Sequence, residues 1–550
     1  MKKVFVTYML LVGIMLLTAC NDFLQEKYHG KLFPEGFYSD ENELELGVVS
    51  FMRPFNRAFH SDYDTFVNVM HGGDDSTVPY PIESKDQGHN DTFFRQAGNE
   101  HSVKGWNNAF NTINNANALI NNYMRAEGTM SEEKLNQYAA LARFARGYIY
   151  YWLVRVYNEI PYVESARIPD RTISLSTPEY VYDRIIEDLK FAEQWLPTSW
   201  ASIDQVKHNG AAFTKGAAKA TLASVYLTMA GFPVNKTEYY AFARDKAKEL
   251  IDGVAQGDYR YRLLEHHADL WSFQNRFHDE MVLSVVYSKT TADYNARGGA
   301  PQRPVQLGGW EMFCSEVNFF HRFPNGERKD ATFVTLFPFT PEVAGNPMSP
   351  VPPNPSMPLA NWSSWERMFF RHPYFKKMWD IDNAEGDNRW KVLSARDYEH
   401  SRTNQLIRYA EVLMIYAEAQ AMADGAPNDL AYDCVNLIRN RAFAGLNSTG
   451  KELQRGLSAS AFRDSVFVER GWEFTSEFAN RYFDLMRLEL VEDAHRVTPV
   501  NKFLPGRAAA ETRITGDIRR KDYWFLIPED ETLLNPNLLN QNQQYDYVVQ

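Results

Sequence analysis

Hydrophobic positions recur at helical spacing in two blocks of this chain and lose that spacing between them. The first block opens with Trp106, Phe110, Ile113, Ala116 or Asn117, and Ile120, which predicts a helix over Gly105–Tyr123. Ser131 followed by Glu132 and Glu133 reads as a second start, because carboxylates favour the positive end of the helix dipole. Leu141, Phe144, Tyr148, Tyr151 and Val156 carry that helix to about Tyr157. Thr177-Pro178-Glu179 is a third start, with a capping hydroxyl, proline at the first helical position and then an acid, and Pro197 stops the helix after Leu196. Further helices are predicted at Thr214–Ala230, Glu238–Asp252, Leu406–Asp424, Asn428–Arg441 and Ser460–Leu490. The last is too long for one element, and Gly471 or Asn480 marks a break. Leu406, Ala410, Leu413, Ala417 and Ala421 form a stripe whose small residues allow close helix approach, and Gly425 stands where a C-terminal cap belongs. Helix pairs with short joints predict a mostly α, TPR-like stack of hairpins, although no strict 34-residue period is present.

Between the blocks, from about Arg260 to Arg402, short extended runs such as Met281–Tyr287 read as strands. Eight prolines between Pro338 and Pro358 forbid regular structure and predict an exposed loop. Trp362, Trp365, Phe369, Phe370, Tyr374, Phe375 and Trp379 follow directly. Long irregular loops inside a large domain are more often functional than idle.

The first twenty residues change the picture of where the chain works. Lys2 and Lys3 precede an apolar run from Val4 to Leu17 broken only by Thr7. That run is about 14 residues, roughly 21 Å as a helix, too short for a hydrocarbon core of about 30 Å. It reads as a secretory signal, and Leu17-Thr18-Ala19-Cys20 resembles the bacterial lipobox, in which Cys20 becomes the lipid-bearing first mature residue. The alternative is an ordinary signal peptide beside an incidental cysteine. Of 550 residues, 44% are hydrophobic and 14% aromatic, and the net charge of −12 argues against nucleic-acid binding. Besides Cys20 there are only Cys314 and Cys434, read here as buried free thiols, with a single bridge as the alternative.

Several blocks, in order, resemble the SusD/RagB family of surface glycan- and nutrient-binding lipoproteins. They include Cys20-Asn21-Asp22-Phe23-Leu24, Trp106 with Asn114–Asn117, Ala142–Tyr148 through Val154–Pro161, Tyr182–Leu189 and Lys215–Ala218. Most specific are Arg408–Ala419, Ile438–Ala442, Glu469-Arg470 with Glu473-Phe474, Arg481–Leu485, and the close from Ile527-Pro528 through Asn535-Pro536 to Asn540-Gln541-Asn542. The resemblance implies a signal peptide over residues 1–19 and one SusD-like domain over 20–550. Its helical scaffold of about four hairpins would span about 105–255 and 405–490, with an irregular, ligand-facing portion over about 260–402. It further implies a lipid-anchored protein at the outer membrane, facing the exterior, that binds a glycan without changing it. The partner it implies is a TonB-dependent, SusC-like transporter that receives the ligand.

Glu411 and Glu418 share a helix face, and Glu469, Arg470 and Glu473 lie within about a turn. Paired carboxylates can cleave a glycosidic bond, which is the rival reading of a secreted glycan-degrading enzyme, but among 70 acids such pairs more often hold helices together. A peptide or other nutrient carrier on the same fold is a second rival. No Gly-x-Ser-x-Gly, His-Glu-x-x-His or phosphate-binding loop is present, and of thirteen histidines only His266-His267 are adjacent. No metal or cofactor site is assigned. Asp380, Asp382, Asn383, Glu385 and Asp387 read as a solvated acidic loop, with bound Ca²⁺ as the alternative, since Ala384 and the late Gly386 break the EF-hand pattern.

For ligand contact the candidates are Trp310, Trp362 and Trp365, together with Asp74, Asp75 and Tyr80. An indole can lie against the apolar C–H face of a sugar while carboxylates accept its hydroxyls. Gly308-Gly309 before Trp310 suggests presentation from a turn, and His71-Gly72-Gly73-Asp74-Asp75 exposes backbone beside acids. Trp106, Trp152 and Trp472 sit inside helical blocks and are assigned to the core.

Overall fold

Several helices open on hydroxyl caps, among them the one the sequence predicts at Thr177. Ser131 Oγ accepts from Lys134 N at 3.3 Å, Thr177 Oγ1 from Tyr180 N at 3.4 Å, and Thr214 Oγ1 from Ala217 N at 3.2 Å. The computed structural model describes residues 36–60, 66, 69–78, 90–93, 95, 97, 98, 100–165, 171–200, 212–288, 302–340, 354, 356–368, 370–379, 401–444, 451–478, 480–497 and 518–542. The signal segment, Cys20, Tyr80 and the acidic cluster from Asp380 to Asp387 lie outside the described residues.

Among the described residues the chain lays down α1 (Glu41–Ala58), α2 (Glu100–Ile120), α3 (Glu132–Tyr157), α4 (Pro178–Trp195), α5 (Lys215–Ala230) and α6 (Tyr239–Gln256), each packed on the next. After Gly257, whose φ of +86° caps α6, helical order gives way to short elements. These are α7 (Val317–Arg322), α8 (Glu327–Thr332) and two-stranded ribbons. The ribbon strands are β1 (Ser76–Thr77), β2 (Met281–Val285), β3 (Cys314–Ser315), β4 (Phe333–Val334), β5 (Leu336–Phe337), β6 (Ser363–Ser364), β7 (Tyr374–Phe375) and β8 (Asn404–Arg408). They pair as β1–β3, β2–β8, β4–β7 and β5–β6. Helices resume with α9 (Tyr409–Asp424), α10 (Asp429–Ala442), α11 (Ala459–Phe474), α12 (Asn480–Arg487), α13 (Val491–Val497) and α14 (Glu529–Leu534). The fold is mostly α.

The middle portion interrupts the sequence but not the helical stack, because α6 and α9 pack directly on one another. Its two ends are drawn together by antiparallel β2 and β8, with Met281 opposite Arg408 and Val285 opposite Asn404. A buried charge cluster sits at that seam. The Arg408 guanidinium meets Glu280 at 2.5 Å, Glu477 at 2.8 Å and Glu473 at 3.1 Å, while Arg441 meets Glu280 at 2.5 Å and Glu473 at 2.8 Å. Burying such charges is costly unless each finds several partners, and here each does.

Three sequence expectations shift. Leu406 belongs to β8 rather than to the helix, because pairing with β2 holds residues 404–408 extended before α9 begins at Tyr409. The break in Ser460–Leu490 falls between Phe474 and Asn480, where Ser476 adopts φ +63°. Gly471 is not a breaker: it stays helical, and a Cβ there would lie 2.9 Å from Arg481 Nη1. The helix α1, with Pro54 inside it, was not expected. Cys314 and Cys434 are buried and unbridged.

Candidate functional site

Trp310 leaves the protein on a tight turn that its own sequence dictates. Pro304 sets φ at −65°, Val305–Leu307 form a 3₁₀ turn, and Gly308 takes φ +75°. Leu307 N donates to Pro304 O at 2.9 Å, Gly309 N to the same oxygen at 3.0 Å, and Glu311 N to Arg303 O at 3.2 Å. A Cβ on Gly309 would stand 1.9 Å from Arg303 O, so only glycine closes this turn.

Below the turn, Glu311 is fully buried. Its carboxyl oxygen accepts from Val305 N at 3.0 Å and from the Tyr374 hydroxyl at 2.6 Å. Burial pushes this carboxyl up to about 8, so at neutral pH it is held largely as the neutral acid. The Tyr374 ring packs against Phe337 at 5.4 Å and Trp379 at 6.0 Å, and the Trp379 indole donates to Gln302 O at 3.0 Å. The result is an indole that is 42% exposed above a buried, cross-linked base. Such a ring offers a flat apolar face from an anchored backbone.

Trp362 stands on the neighbouring β5–β6 ribbon, where Phe337 pairs with Ser363. It is half-buried, with its indole N–H donating to Met357 O at 3.1 Å. Trp310 and Trp362 are therefore mounted on one aromatic subcore, through Tyr374 and Phe337.

Trp365 is different. It is 6% exposed and packs on Phe320 at 5.6 Å and His321 at 6.0 Å, so it is part of the core and not a surface platform.

Asp74 and Asp75 are likewise turned inward, which corrects the expectation that they face a ligand. Asp74 forms a two-pronged pair with Arg481 at 2.5 and 2.9 Å. Burial alone would raise its pKa, but the Arg481 charge prevails and holds the carboxyl below its ordinary range. Asp75 accepts from Thr475 Oγ1 at 2.8 Å, and burial together with the charge of Asp74 pushes it up to about 6. The pair locks the segment before β1 onto the junction of α11 and α12. Trp106 and Trp152 are buried as expected, and Trp472 is partly buried against the core.

The carboxylates of the C-terminal helices are also committed to internal partners. Glu418 is paired with Arg487 (2.7 Å through Nη2), Glu469 with Arg328 at 2.7 Å and Arg439 at 2.6 Å, and Glu473 with Arg328 at 3.0 Å and Arg441 at 2.8 Å. Glu411 is buried 3.9 Å from Arg470, its carboxyl pushed up to about 7 by burial. Of the adjacent histidines, His267 is buried and His266 is exposed beside Glu327 at 3.4 Å. Among the described residues no three His, Cys, Asp or Glu side chains are placed to hold a metal ion. None of the described helices is long and apolar enough to cross a membrane.

A second feature escaped the sequence reading. A cleft of about 820 Å³ opens between α2, the segment after α3, the start of α4 and α14, lined by residues that include Asn107, Asn111, Asn114, Tyr162 and Tyr180. The helical period that assigns Trp106 and Ile113 to the core leaves these asparagines on an adjacent face. Their convergence with Tyr180 and the C-terminal segment depends on contacts remote in sequence.

Comparison with known proteins accounts for this architecture. The pattern of the SusD family matches residues 363–545, and a second one, described as "Starch-binding associating with outer membrane", matches residues 74–227. SusD-like protein P2 of Formosa agariphila is 26% identical over 99% of this chain and 100% of its own length. A SusD homologue of Bacteroides thetaiotaomicron has a similar fold, with a TM-score of 0.73 at 20% identity, covering 92% of this chain and 98% of the other. A laminarin binding SusD-like protein is similar in fold with a TM-score of 0.65 at 20% identity, covering 90% and 98%. Two matches in chain order, an end-to-end relative and a shared fold agree with the blocks read from the sequence: the chain belongs to the SusD/RagB family.

Proposed function

We propose that this protein captures an oligosaccharide or polysaccharide at the outer face of the outer membrane, without cleaving it, and passes it to a TonB-dependent, SusC-like transporter. The observation that carries the reading is Trp310, an exposed indole held on a turn that admits only glycine at Gly309 and is anchored from below by Glu311 and Tyr374. Trp362, half-buried on the neighbouring ribbon, is assigned as a second stacking ring. The family's outer-membrane description and the laminarin-binding neighbour supply the ligand class and the setting. A lipid on Cys20 would keep the binding surface beside its transporter. The non-catalytic reading is supported by the burial of Glu411, Glu418, Glu469 and Glu473 among arginines, which leaves none of them facing solvent as an acid/base pair.

Affinity electrophoresis of the mature chain in gels containing starch, laminarin or xyloglucan tests the reading. Retardation by at least one polysaccharide is expected, weakened about tenfold by Trp310→Ala, the loss of roughly one stacking contact. Migration unaffected by all three would count against capture of these glycans. New reducing ends after incubation would overturn the non-catalytic assignment.

A further inference from the structure

We propose that the cleft between α2, α4 and α14 is a second binding subsite, for a neutral, polyhydroxylated ligand such as a segment of the same glycan chain. The inference rests on the glycan-binding reading but on none of its residues, since Trp310 and Trp362 do not line the cleft.

The asparagines on and just beyond α2 fall into two groups. Asn115 donates to Ser50 O at 2.8 Å, Asn117 to Val163 O at 2.8 Å, Asn121 to Glu164 O at 3.1 Å and Asn122 to Ala118 O at 2.7 Å. These amides tie the helix to its surroundings or cap its end. Asn107, Asn111 and Asn114 do neither. They lie at i, i+4 and i+7, on one exposed face of the helix that forms a wall of the cleft, and their side chains make no hydrogen bond among the described residues. An amide both donates and accepts, which matches a hydroxyl that does the same. A row of three at about one-turn spacing is thus a repeated station for hydroxyl groups.

The opposite wall supplies the ring. Tyr180 is 45% exposed in the first turn of α4. Its orientation is held by the Tyr162 ring at 5.8 Å and 84° and by the Arg184 guanidinium 5.4 Å from its centroid. Tyr162 in turn packs on Tyr150 at 4.6 Å, whose hydroxyl accepts from Val163 N at 2.7 Å. The wall is connected to the core, so the ring is preorganised.

Charge does not select an ion here, because the acidic Glu164 and Glu531 are balanced in part by Arg171. The volume lies within the range of small-molecule sites, about 300–1,000 Å³. Free amides and a fixed aromatic face beside apolar Phe110, Ile173 and Leu534 match the alternation of hydroxyl and C–H faces on a sugar.

The test uses the same full mature chain and the same gels of starch, laminarin and xyloglucan. All altered side chains are solvent-facing, and melting temperatures verify folding. With whichever polysaccharide retards the parent protein, the Asn111→Ala/Tyr180→Ala double variant should weaken retardation about tenfold. Tyr180→Phe, which keeps the ring, should retain most of it. Hydrogen exchange of residues 107–114 should slow on adding that polysaccharide, in the parent and in Trp310→Ala alike. A double variant that migrates as the parent does, with exchange at 107–114 unchanged, overturns the second subsite. If Trp310→Ala still weakens binding in that case, the capture reading stands. If no polysaccharide retards the parent, capture of these three glycans and the second subsite for them fall together.

Discussion

The helical blocks and the irregular middle of this protein are stabilised in different ways. In the helical blocks, caps, apolar stripes and stop residues lie within a turn or two of the element they specify. Thr177, Pro178 and Pro197 delimit α4, and Asn428 Oδ1 accepts from Ala431 N at 2.8 Å to open α10. In the middle, the ribbons β1–β3, β4–β7 and β5–β6 are two residues long, and such ribbons have little stability of their own. They persist because buried groups hold them to the scaffold: Arg408 and Glu280 at the seam, Glu311 with Tyr374 under the Trp310 turn, and Asp75 with Thr475 beside β1. Local order lets sequence predict a helix. Dependence on remote partners lets a loop hold a ligand-facing side chain in one orientation.

Severing the seam should give the largest effect. Arg408→Ala leaves the carboxylates of Glu280, Glu473 and Glu477 buried without their shared cation, and should cost about 3–5 kcal/mol in denaturant unfolding. Thr177→Ala, which removes one local cap, should cost about 1 kcal/mol. Equal costs would erase the distinction between the two regions.

Gly309→Ala comes next. The added methyl cannot coexist with Arg303 O, so the turn must shift, at about 1–3 kcal/mol by analogy with overpacking. Glycan retardation should fall as it does for Trp310→Ala, while the far-ultraviolet helix signal stays unchanged. Retained binding would show that the turn geometry is not what presents Trp310.

A further effect is a pH dependence. The Glu311 carboxyl is raised from 4.5 to about 8 in the folded chain, chiefly by burial. Between those values the folded state keeps a proton that the unfolded state releases. Its contribution is therefore complete below about pH 4.5 and is lost as pH rises through about 8. Glu311→Gln, neutral throughout, should melt with a shallower decline between about pH 5 and 8. An unchanged slope would mean that Glu311 does not titrate in this window.

Legibility in the sequence follows the same division. The starts at Ser131, Thr177 and Thr214 and the caps at Gly257 and Gly425 are set by residues adjacent to them. Leu406 was misread because its partner strand lies more than a hundred residues away in β2. Asp74 and Asp75 read as exposed acids in a glycine-rich turn, and only Arg481 and Thr475, some four hundred residues on, reveal that they are buried. Trp310 and Trp365 looked equivalent, both in the irregular portion. Packing on Phe320 and His321 places one in the core, while the turn carries the other outward.

By itself, the sequence determined the helical hairpins, the irregular middle and the family, because periodicity, caps and ordered motifs are local properties. The tertiary structure decided which aromatics and acids face solvent, how the middle is clamped to the stack, and that three asparagines of α2 meet Tyr180 across a cleft. Burial and charge pairing are properties of residues brought together by the whole fold, and no local spacing encodes them.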